Sequence, residues 1–498
     1  MSRPIITRMD CRRAVAVALV LVLGLSLPLG AAVAKAAPDS FADLAAKLLP
    51  AVVNVSTTQT IKSDKRSGSD VPQVPPGSPF EDFFKDFGPK NKSRPEAAPH
   101  RATSLGSGFI IDSSGLVVTN NHVIADADEI TVTLYDDKGD GPSYKAEVVG
   151  RDTKTDLALL RIKPTKPLVA VKFGDSDQTR VGDWVLAIGN PFGLGGSVTA
   201  GILSARAREI NAGPYDDFLQ TDASINKGNS GGPMFNMNGD VIGINTAIYS
   251  PSGGSIGIGF AIPSNLARRV VEQLRDFGRA RRGWLGVNIQ SVTDDIAESL
   301  GLDKPHGALI ASVRDGGPAQ VAGIQPGDVV LSFDGKDVTD MRRLPRVVAE
   351  TPIDKTVKVT VWRKRKEMSF DVKVGELKEE EQQAAVSPAA PDTPAEPPGT
   401  VKTLGMSLAN LTPELRERFS LNEDAAGVVV LDVASDSAAS EKGMRAGDII
   451  VEVAQEEVKN AAEITSKIDE AKKAGRKSVL LLVDRQGDLR FVPLKIEG

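Results

Sequence analysis

Between residues 103 and 262 the chain alternates short apolar runs with Gly, Asn and Asp; the stretches 108–111, 130–134, 157–160 and 184–188 are examples. Runs of this length and spacing predict the strands of an all-β barrel or sandwich. The period then changes. Leu266, Val270, Leu274 and Phe277 fall on one face of a helix that Ser264 would cap and Gly278 would end. Beyond it the chain repeats itself. GIQPGDVV at 323–330 returns 120 residues later as GMRAGDII at 443–450. Two copies are too few for a solenoid and read as two homologous domains of similar size.

The polar and irregular stretches set the boundaries. Arg3, Arg8, Arg12 and Arg13 precede an uncharged apolar run at 14–29, followed by Ala34-Lys35-Ala36. This is the pattern of a cleaved signal peptide over 1–36. The rival reading is a retained anchor, but the run falls short of the ~20 apolar residues a spanning helix needs. Residues 61–100 are rich in Pro, Ser, Lys and Asp around one aromatic island, Phe80-Glu81-Asp82-Phe83-Phe84, and read as a long mobile loop. Residues 376–400, acidic and then rich in Pro and Ala, read as a linker. The expected order is a signal at 1–36, a β-rich domain at 37–280, a first repeat domain at 281–375, the linker, and a second repeat domain at 401–498.

Composition removes several function classes. Cys11 is the only cysteine and lies inside the expected signal, so disulfide and cysteine chemistry are excluded from the mature chain. The formal charge of −5 becomes −9 when 1–36 are removed, which leaves no basic footprint for nucleic acid. Three scattered histidines do not suggest a transition-metal cluster, and no Gly-rich Lys-Ser/Thr loop suggests ATP. No cofactor or metal is expected.

The strongest local signal is Gly228-Asn229-Ser230-Gly231-Gly232. A serine hydroxyl needs a base to become a nucleophile, and flanking glycines let backbone N–H groups converge on an oxyanion. The motif also fits the G-x-S-x-G elbow of α/β-hydrolases. That elbow needs a helix after the serine and a histidine downstream. Here Pro233, Asn236, Asn238 and Gly239 follow, and then a strand-like run at 241–244; the one downstream histidine, His306, lies in the repeat. Of the other two, His100 lies in the polar loop and His122 ends an apolar run upstream of the serine. Asp156 heads the apolar run 157–160 and suits a carboxylate that orients an imidazole, with Asp152 and Asp175 as competitors on chemistry alone.

The order His, Asp, Ser is that of chymotrypsin-like proteases. The blocks TNNHV (119–123), TDLALL (155–160) and QTDASINKGNSGGP (220–233) resemble the active-site blocks of the HtrA (Do-like) serine proteases, and GINTAI (243–248) and GIGFAIP (257–263) resemble later segments of that family. The resemblance implies a mainly β fold, a chymotrypsin-like double β-barrel followed by two PDZ domains of α+β type. It implies a nucleophile at Ser230, a base at His122 and an orienting carboxylate at Asp156. It places the N–H groups of Gly228, Asn229 and Ser230 in an oxyanion hole and puts Thr246, Ala247, Ile248, Tyr249 and Ser250 along the substrate cleft. Ile225 would help form an apolar primary pocket, hence small or medium aliphatic residues before the cut.

PDZ domains take an extended peptide along a strand edge and capture its carboxylate with backbone N–H groups. Arg282-Gly283-Trp284-Leu285-Gly286-Val287 resembles the carboxylate-binding loop of the family's first PDZ domain, with Leu285, Gly286 and Val287 against the peptide. The second copy opens Leu404-Gly405-Met406-Ser407-Leu408 without the Arg-Gly pair, which leaves an assembly contact as its alternative role. The implied function is a periplasmic endopeptidase that degrades unfolded or damaged proteins and also acts as a chaperone. It would assemble as a trimer and multiples of trimers, with unfolded polypeptides as partners. The alternatives are a protein that mainly holds clients and a stress sensor that cuts one regulator.

Overall fold

A computed structural model describes residues 38–61, 100–136, 139–190, 196–251, 254–378, 401–422 and 425–496. The expected signal, the aromatic island and nearly all of the linker lie outside them. The chain divides into two compact units, Met1–Lys47 and Leu48–Gly498. The described part of the first is 38–47, which carries most of helix α1 (Ala42–Leu48). Among the described residues no helix is long and apolar enough to cross a membrane.

The second unit opens with a seven-stranded antiparallel sheet. Its strands are β1 (Val52–Ile61), β2 (His100–Asp112), β3 (Leu116–Thr119), β4 (Glu129–Asp136), β5 (Gly139–Lys145), β6 (Glu147–Asp152) and β7 (Leu157–Arg161), and a short helix α2 (Asn121–Ile124) follows β3. Their order is β5-β4-β1-β2-β3-β7-β6. Next come β8 (Trp184–Gly189), β9 (Ser197–Arg208), β10 (Phe218–Thr221), β11 (Pro233–Phe235), β12 (Val241–Ile248) and β13 (Gly259–Pro263), which close into a barrel, β10-β13-β12-β11-β8-β9. Each half has its own core. Val55, Ile110, Val117 and Leu160 pack in the first, and Val185, Leu203, Met234 and Ile242 in the second. Burying each such side chain contributes about 1.5–3 kcal/mol. Ile61 and His100 are Cα partners at the end of the β1–β2 ladder, so the expected loop 61–100 starts and ends inside strands.

Helix α3 (Ser264–Phe277) ends the β-rich half, with two departures from expectation. Pro263 occupies the N-cap, and Ser264 instead donates its hydroxyl to the Gly174 carbonyl at 2.9 Å. The buried stripe is Ala267, Val270, Val271 and Leu274. Phe277 is 56% exposed and lies under the Arg281 guanidinium. Gly278 ends the helix at φ 72°, a left-handed conformation that suits glycine.

The first repeat begins with β14 (Gly283–Trp284) and β15 (Val287–Ser291), followed by helix α4 (Asp294–Leu300), β16 (Ala308–Val313), β17 (Val329–Phe333), β18 (Lys336–Asp337), helix α5 (Arg343–Ala349), β19 (Thr356–Arg363), β20 (Lys366–Lys373) and β21 (Gly375–Glu376). The main sheet runs β15-β16-β17-β19-β20, and β14 pairs with β21 alone. Glu376, expected in the linker, is thus a strand residue. Arg281 grips its carboxylate with two hydrogen bonds, of 2.7 and 3.0 Å, and Arg279 adds one at 2.9 Å. The second repeat holds β22 (Val401–Thr403), β23 (Met406–Asn410), β24 (Val428–Val433), β25 (Ile449–Val453), β26 (Glu456–Glu457), helix α6 (Ala461–Lys473), β27 (Ser478–Arg485) and β28 (Asp488–Lys495), with sheet order β22-β23-β24-β25-β27-β28.

The repeated Gly-Asp turn has a physical cause. Asp328 and Asp448 are each 1% exposed. Each accepts a backbone N–H three residues back, from Gln325 and Arg445, at 2.9 Å. Each also receives two guanidinium hydrogen bonds, Asp328 from Arg363 and Asp448 from Arg485; both arginines reach on to the carbonyl of Gly323 or Gly443 at 2.8 Å. A buried carboxylate is stable only when paired in this way. The two repeats also pack on each other. Ile296, Leu300, Leu309 and Val329 share one apolar cluster with Leu480, Leu482 and Phe491. The Gln290 amide donates to the Phe491 carbonyl at 2.8 Å and accepts its N–H at 2.9 Å.

Candidate active site

The three candidate residues come from three separate connections. His122 lies in α2, just after β3; Asp156 in the turn before β7; Ser230 in the loop before β11. They are 2%, 8% and 1% exposed. His122 Nδ1 lies 2.6 Å from Asp156 Oδ2, while the His122 backbone N–H donates to the other carboxylate oxygen at 2.9 Å. Asp156 therefore fixes both the ring and the main chain of the histidine.

Asp156 has φ 55°, an uncommon conformation for a residue with a side chain. Its carbonyl accepts the N–H of Asn121 at 3.1 Å and the side-chain amide of Asn120 at 2.8 Å, which holds it there. The competitors are occupied elsewhere. Asp152 is paired with Arg282 and Thr155. Asp175 caps a short 3₁₀ turn and accepts from Asn265 at 2.6 Å.

Thr246 is the residue whose role the sequence did not reveal. The β12–β13 register shifts between Asn245 and Ala247, so Thr246 sits in a bulge. Bulges re-aim side chains, and this one turns the Thr246 hydroxyl onto Asp156 Oδ2 at 2.8 Å. The Thr246 carbonyl accepts the Ser230 hydroxyl at 3.4 Å. One residue thus touches both ends of the constellation. Ala247 and Ile248, expected along the cleft, are 0% and 1% exposed and belong to the apolar cluster of the barrel core. Tyr249 is partly buried against that core, and the Ser250 hydroxyl donates to the Gly254 carbonyl at 2.5 Å.

The loop around Ser230 is held from β2. The Ser107 hydroxyl donates to the Gly228 carbonyl at 2.6 Å and accepts the Asn190 N–H at 2.7 Å, and the Ser107 N–H donates to the Ser230 carbonyl at 2.8 Å. A Cβ on Gly231 would collide with the Ser107 carbonyl oxygen, which explains the glycine after the serine. Gly228 has φ 99°, open to glycine alone. Of the three expected oxyanion donors, Asn229 is spent: its N–H closes a turn on the Asn226 carbonyl at 3.0 Å. Among the described residues no acceptor takes the N–H of Gly228 or Ser230. Ile225 is 1% exposed in the apolar barrel core, in space that a Cβ on Gly259 would fill.

In the first repeat, the carbonyl of Leu285 accepts the Ala319 N–H at 2.9 Å and that of Gly286 accepts the Arg314 N–H at 2.8 Å. Among the described residues no acceptor takes the N–H groups of Leu285 or Gly286. Val287 opens β15, the edge strand of its sheet. Arg282 points the other way. It pairs with Asp152 and lies over the Tyr215 ring at 4.8 Å.

Comparison with known proteins identifies the parts. The trypsin-like peptidase domain family matches residues 106–244, and the PDZ domain family matches 283–374 and 403–496. A relative named "Probable periplasmic serine endoprotease DegP-like" from Brucella suis biovar 1 (strain 1330) is 46% identical over 475 residues, covering 92% of this chain and 89% of its own. A relative of the same name from Rhizobium meliloti (strain 1021) is 42% identical over 477 residues, covering 92% of both. Among solved structures, "HtrA-type protease AlgW with decapeptide" matches with TM-score 0.54 and 40% identity over 68% of this chain and 99% of its own. The chain belongs to the HtrA family of DegP-like serine endoproteases, a chymotrypsin-like protease domain followed by two PDZ domains.

Proposed function

We propose that this endopeptidase cleaves unfolded polypeptides in the periplasm with Ser230 as nucleophile, His122 as base and Asp156 as the group that orients the imidazole. The 2.6 Å contact between His122 Nδ1 and Asp156 Oδ2 carries the reading, because it commits Nδ1 to the carboxylate and assigns the base's role to Nε2. His122 takes the Ser230 proton as Oγ attacks the substrate carbonyl. The N–H groups of Gly228 and Ser230 receive the oxyanion. The imidazolium then gives its proton to the leaving amine, and water repeats the sequence to release the acyl group. Donors of this kind contribute about 2.7–4 kcal/mol each.

Ile225 supports a preference for small or medium aliphatic residues before the cut. The open edge of β15 supports peptide capture by the first PDZ domain. The same edge supports client holding without cleavage, which Ser230→Ala would retain. The names of the relatives, periplasmic serine endoproteases, support the periplasm. Assembly into trimers and their multiples is part of the proposal; light scattering that found a monomer with and without unfolded substrate would remove it.

The test is casein hydrolysis by the parent, Ser230→Ala, His122→Ala and Asp156→Asn. Each variant is expected to lose at least about a thousandfold in kcat, in line with removal of a triad member. Equal cleavage by parent and Ser230→Ala would overturn the assignment.

A further inference from the structure

The two PDZ domains differ at the strand edge that reads peptides. In the first, β15 ends its sheet, and the preceding strand β14 leaves to pair with β21. In the second, β22 folds back onto the outer edge of β23, with Val401 opposite Leu408, Lys402 opposite Ser407 and Thr403 opposite Met406. The corresponding dipeptides are Leu285-Gly286 and Leu404-Gly405. Both second residues share a geometry: Gly286 and Gly405 have φ 75° and 76°, and their carbonyls accept Arg314 and Ala434 N–H groups, both at 2.8 Å.

The leucines separate them. Leu404 has φ 51°, and Leu285 is not among the residues with positive φ. Positive φ at both central residues is the signature of a type I′ hairpin turn, which reverses the chain onto its neighbour. Leucine is a poor residue for that position, so packing must offset the strain. Val401 and Leu404 pack against the second domain's core cluster, whose members include Met406, Leu408 and Ile468, and helix α6 contacts β22. A strand on the β23 edge, flanked by this helix, with apolar side chains on the core, stands where an incoming peptide would add.

We infer that Val401–Thr403 is a resident pseudo-ligand of the second PDZ domain, and that a hydrophobic C-terminal peptide enters only the first domain unless this strand is displaced. The inference rests on the reading of the PDZ domains as peptide binders, and its test reads binding in a Ser230→Ala background, independent of proteolysis.

The probe is a fluorescein-labelled decapeptide ending in valine with a free carboxylate. Calorimetry counts sites per chain, and hydrogen exchange by mass spectrometry locates them. The full-length parent is expected to bind one peptide, with new protection in 285–291. In a closed two-residue hairpin the Met406 and Leu408 N–H groups face β22, so 404–410 should be protected before peptide is added. Val401→Pro with Thr403→Pro removes the donors of β22 and should raise the count to two, with peptide-dependent protection in 404–410. Retained protection of 478–495 shows that the variant's domain is folded. Two peptides on the parent, one on the folded variant, or rapid exchange of 404–410 in the peptide-free parent would each overturn the inference. If neither form binds peptide, the underlying PDZ reading fails, and exchange of 404–410 still decides whether the strand is resident.

Discussion

The Thr246 hydroxyl and His122 Nδ1 meet on the same oxygen, Asp156 Oδ2, at 2.8 and 2.6 Å. The carboxylate is thereby held from two sides, which in the proposed reaction would steady it as the imidazole gains charge. A hydrogen bond to a charged group is worth about 1.5–3 kcal/mol. Thr246→Val should lower kcat by about ten- to a hundredfold on a fluorogenic peptide while KM stays close to the parent's, and Thr246→Ser should restore most of the rate. An unchanged kcat in Thr246→Val would show that the hydroxyl does not support the reaction.

A second coupling crosses between domains. Arg282 and Asp152, with side chains 12% and 6% exposed, form an ion pair between the segment that leads into the first PDZ domain and the end of β6, which runs into the turn that holds Asp156. Removing one member of a buried pair costs about 3–5 kcal/mol, because the other charge is stranded. Arg282→Ala and Asp152→Ala should each destabilise the protein strongly, and the double variant by less than their sum. A double-mutant cycle in urea measures this. Additive effects would show that the two charges do not depend on each other.

Much of this site was legible in the sequence, for a physical reason. The proposed nucleophile, the proposed base and the glycine turn are local patterns, and the run after Ser230 excluded a helix. What was not legible depends on register. The bulge that turns Thr246 onto Asp156 arises from a one-residue slip between β12 and β13. Without it, Thr246 reads as one more cleft residue beside Ala247 and Ile248. Asn229 failed for a related reason: whether an N–H faces a cavity or closes a turn is set by backbone torsion, and the residue letter does not carry it. On α3 the period was right and the phase was not, since two stripes of one helix differ only in which side the protein covers. The Gly-Asp repeat was visible, whereas its arginine partners lie on distant strands, with Arg363 and Arg485 spaced differently from the turns they hold.

The β14–β21 pairing should respond to acid. Hydrogen bonds from Arg281, and then from Arg279, bring the Glu376 carboxyl from an ordinary 4.5 to about 2. A depressed carboxyl contributes stability that is complete above its unfolded value and is lost as pH falls towards the folded one. The contribution should therefore be full above about pH 5 and disappear between roughly pH 4.5 and 2. Glu376→Gln lacks it at every pH. Hydrogen exchange of 283–284 and 375–376 should favour the parent at pH 6 and converge with the variant near pH 2. A difference that persisted at pH 2 would assign the effect to packing.

The packing of the two PDZ domains on each other separates into an apolar and a polar part, and the two can be tested apart. The Phe491 side chain is 2% exposed in the cluster the domains share, while its backbone exchanges hydrogen bonds with Gln290. Phe491→Ala removes the ring and leaves both hydrogen bonds possible. Burying large aromatic side chains is worth about 3–5 kcal/mol on truncation. Gln290→Ala keeps the ring and strands one N–H and one carbonyl, at about 1–3 kcal/mol for each buried group left unsatisfied. If the domains dock as one body, the parent should show protection of 290–300 and 478–495 that is lost together under mild denaturant. Phe491→Ala should uncouple them, so that 478–495 opens at lower urea while 290–300 keeps its midpoint. Gln290→Ala should lower both midpoints by less and keep them joined. Independent opening in the parent would mean that the contact between the domains contributes nothing to their stability.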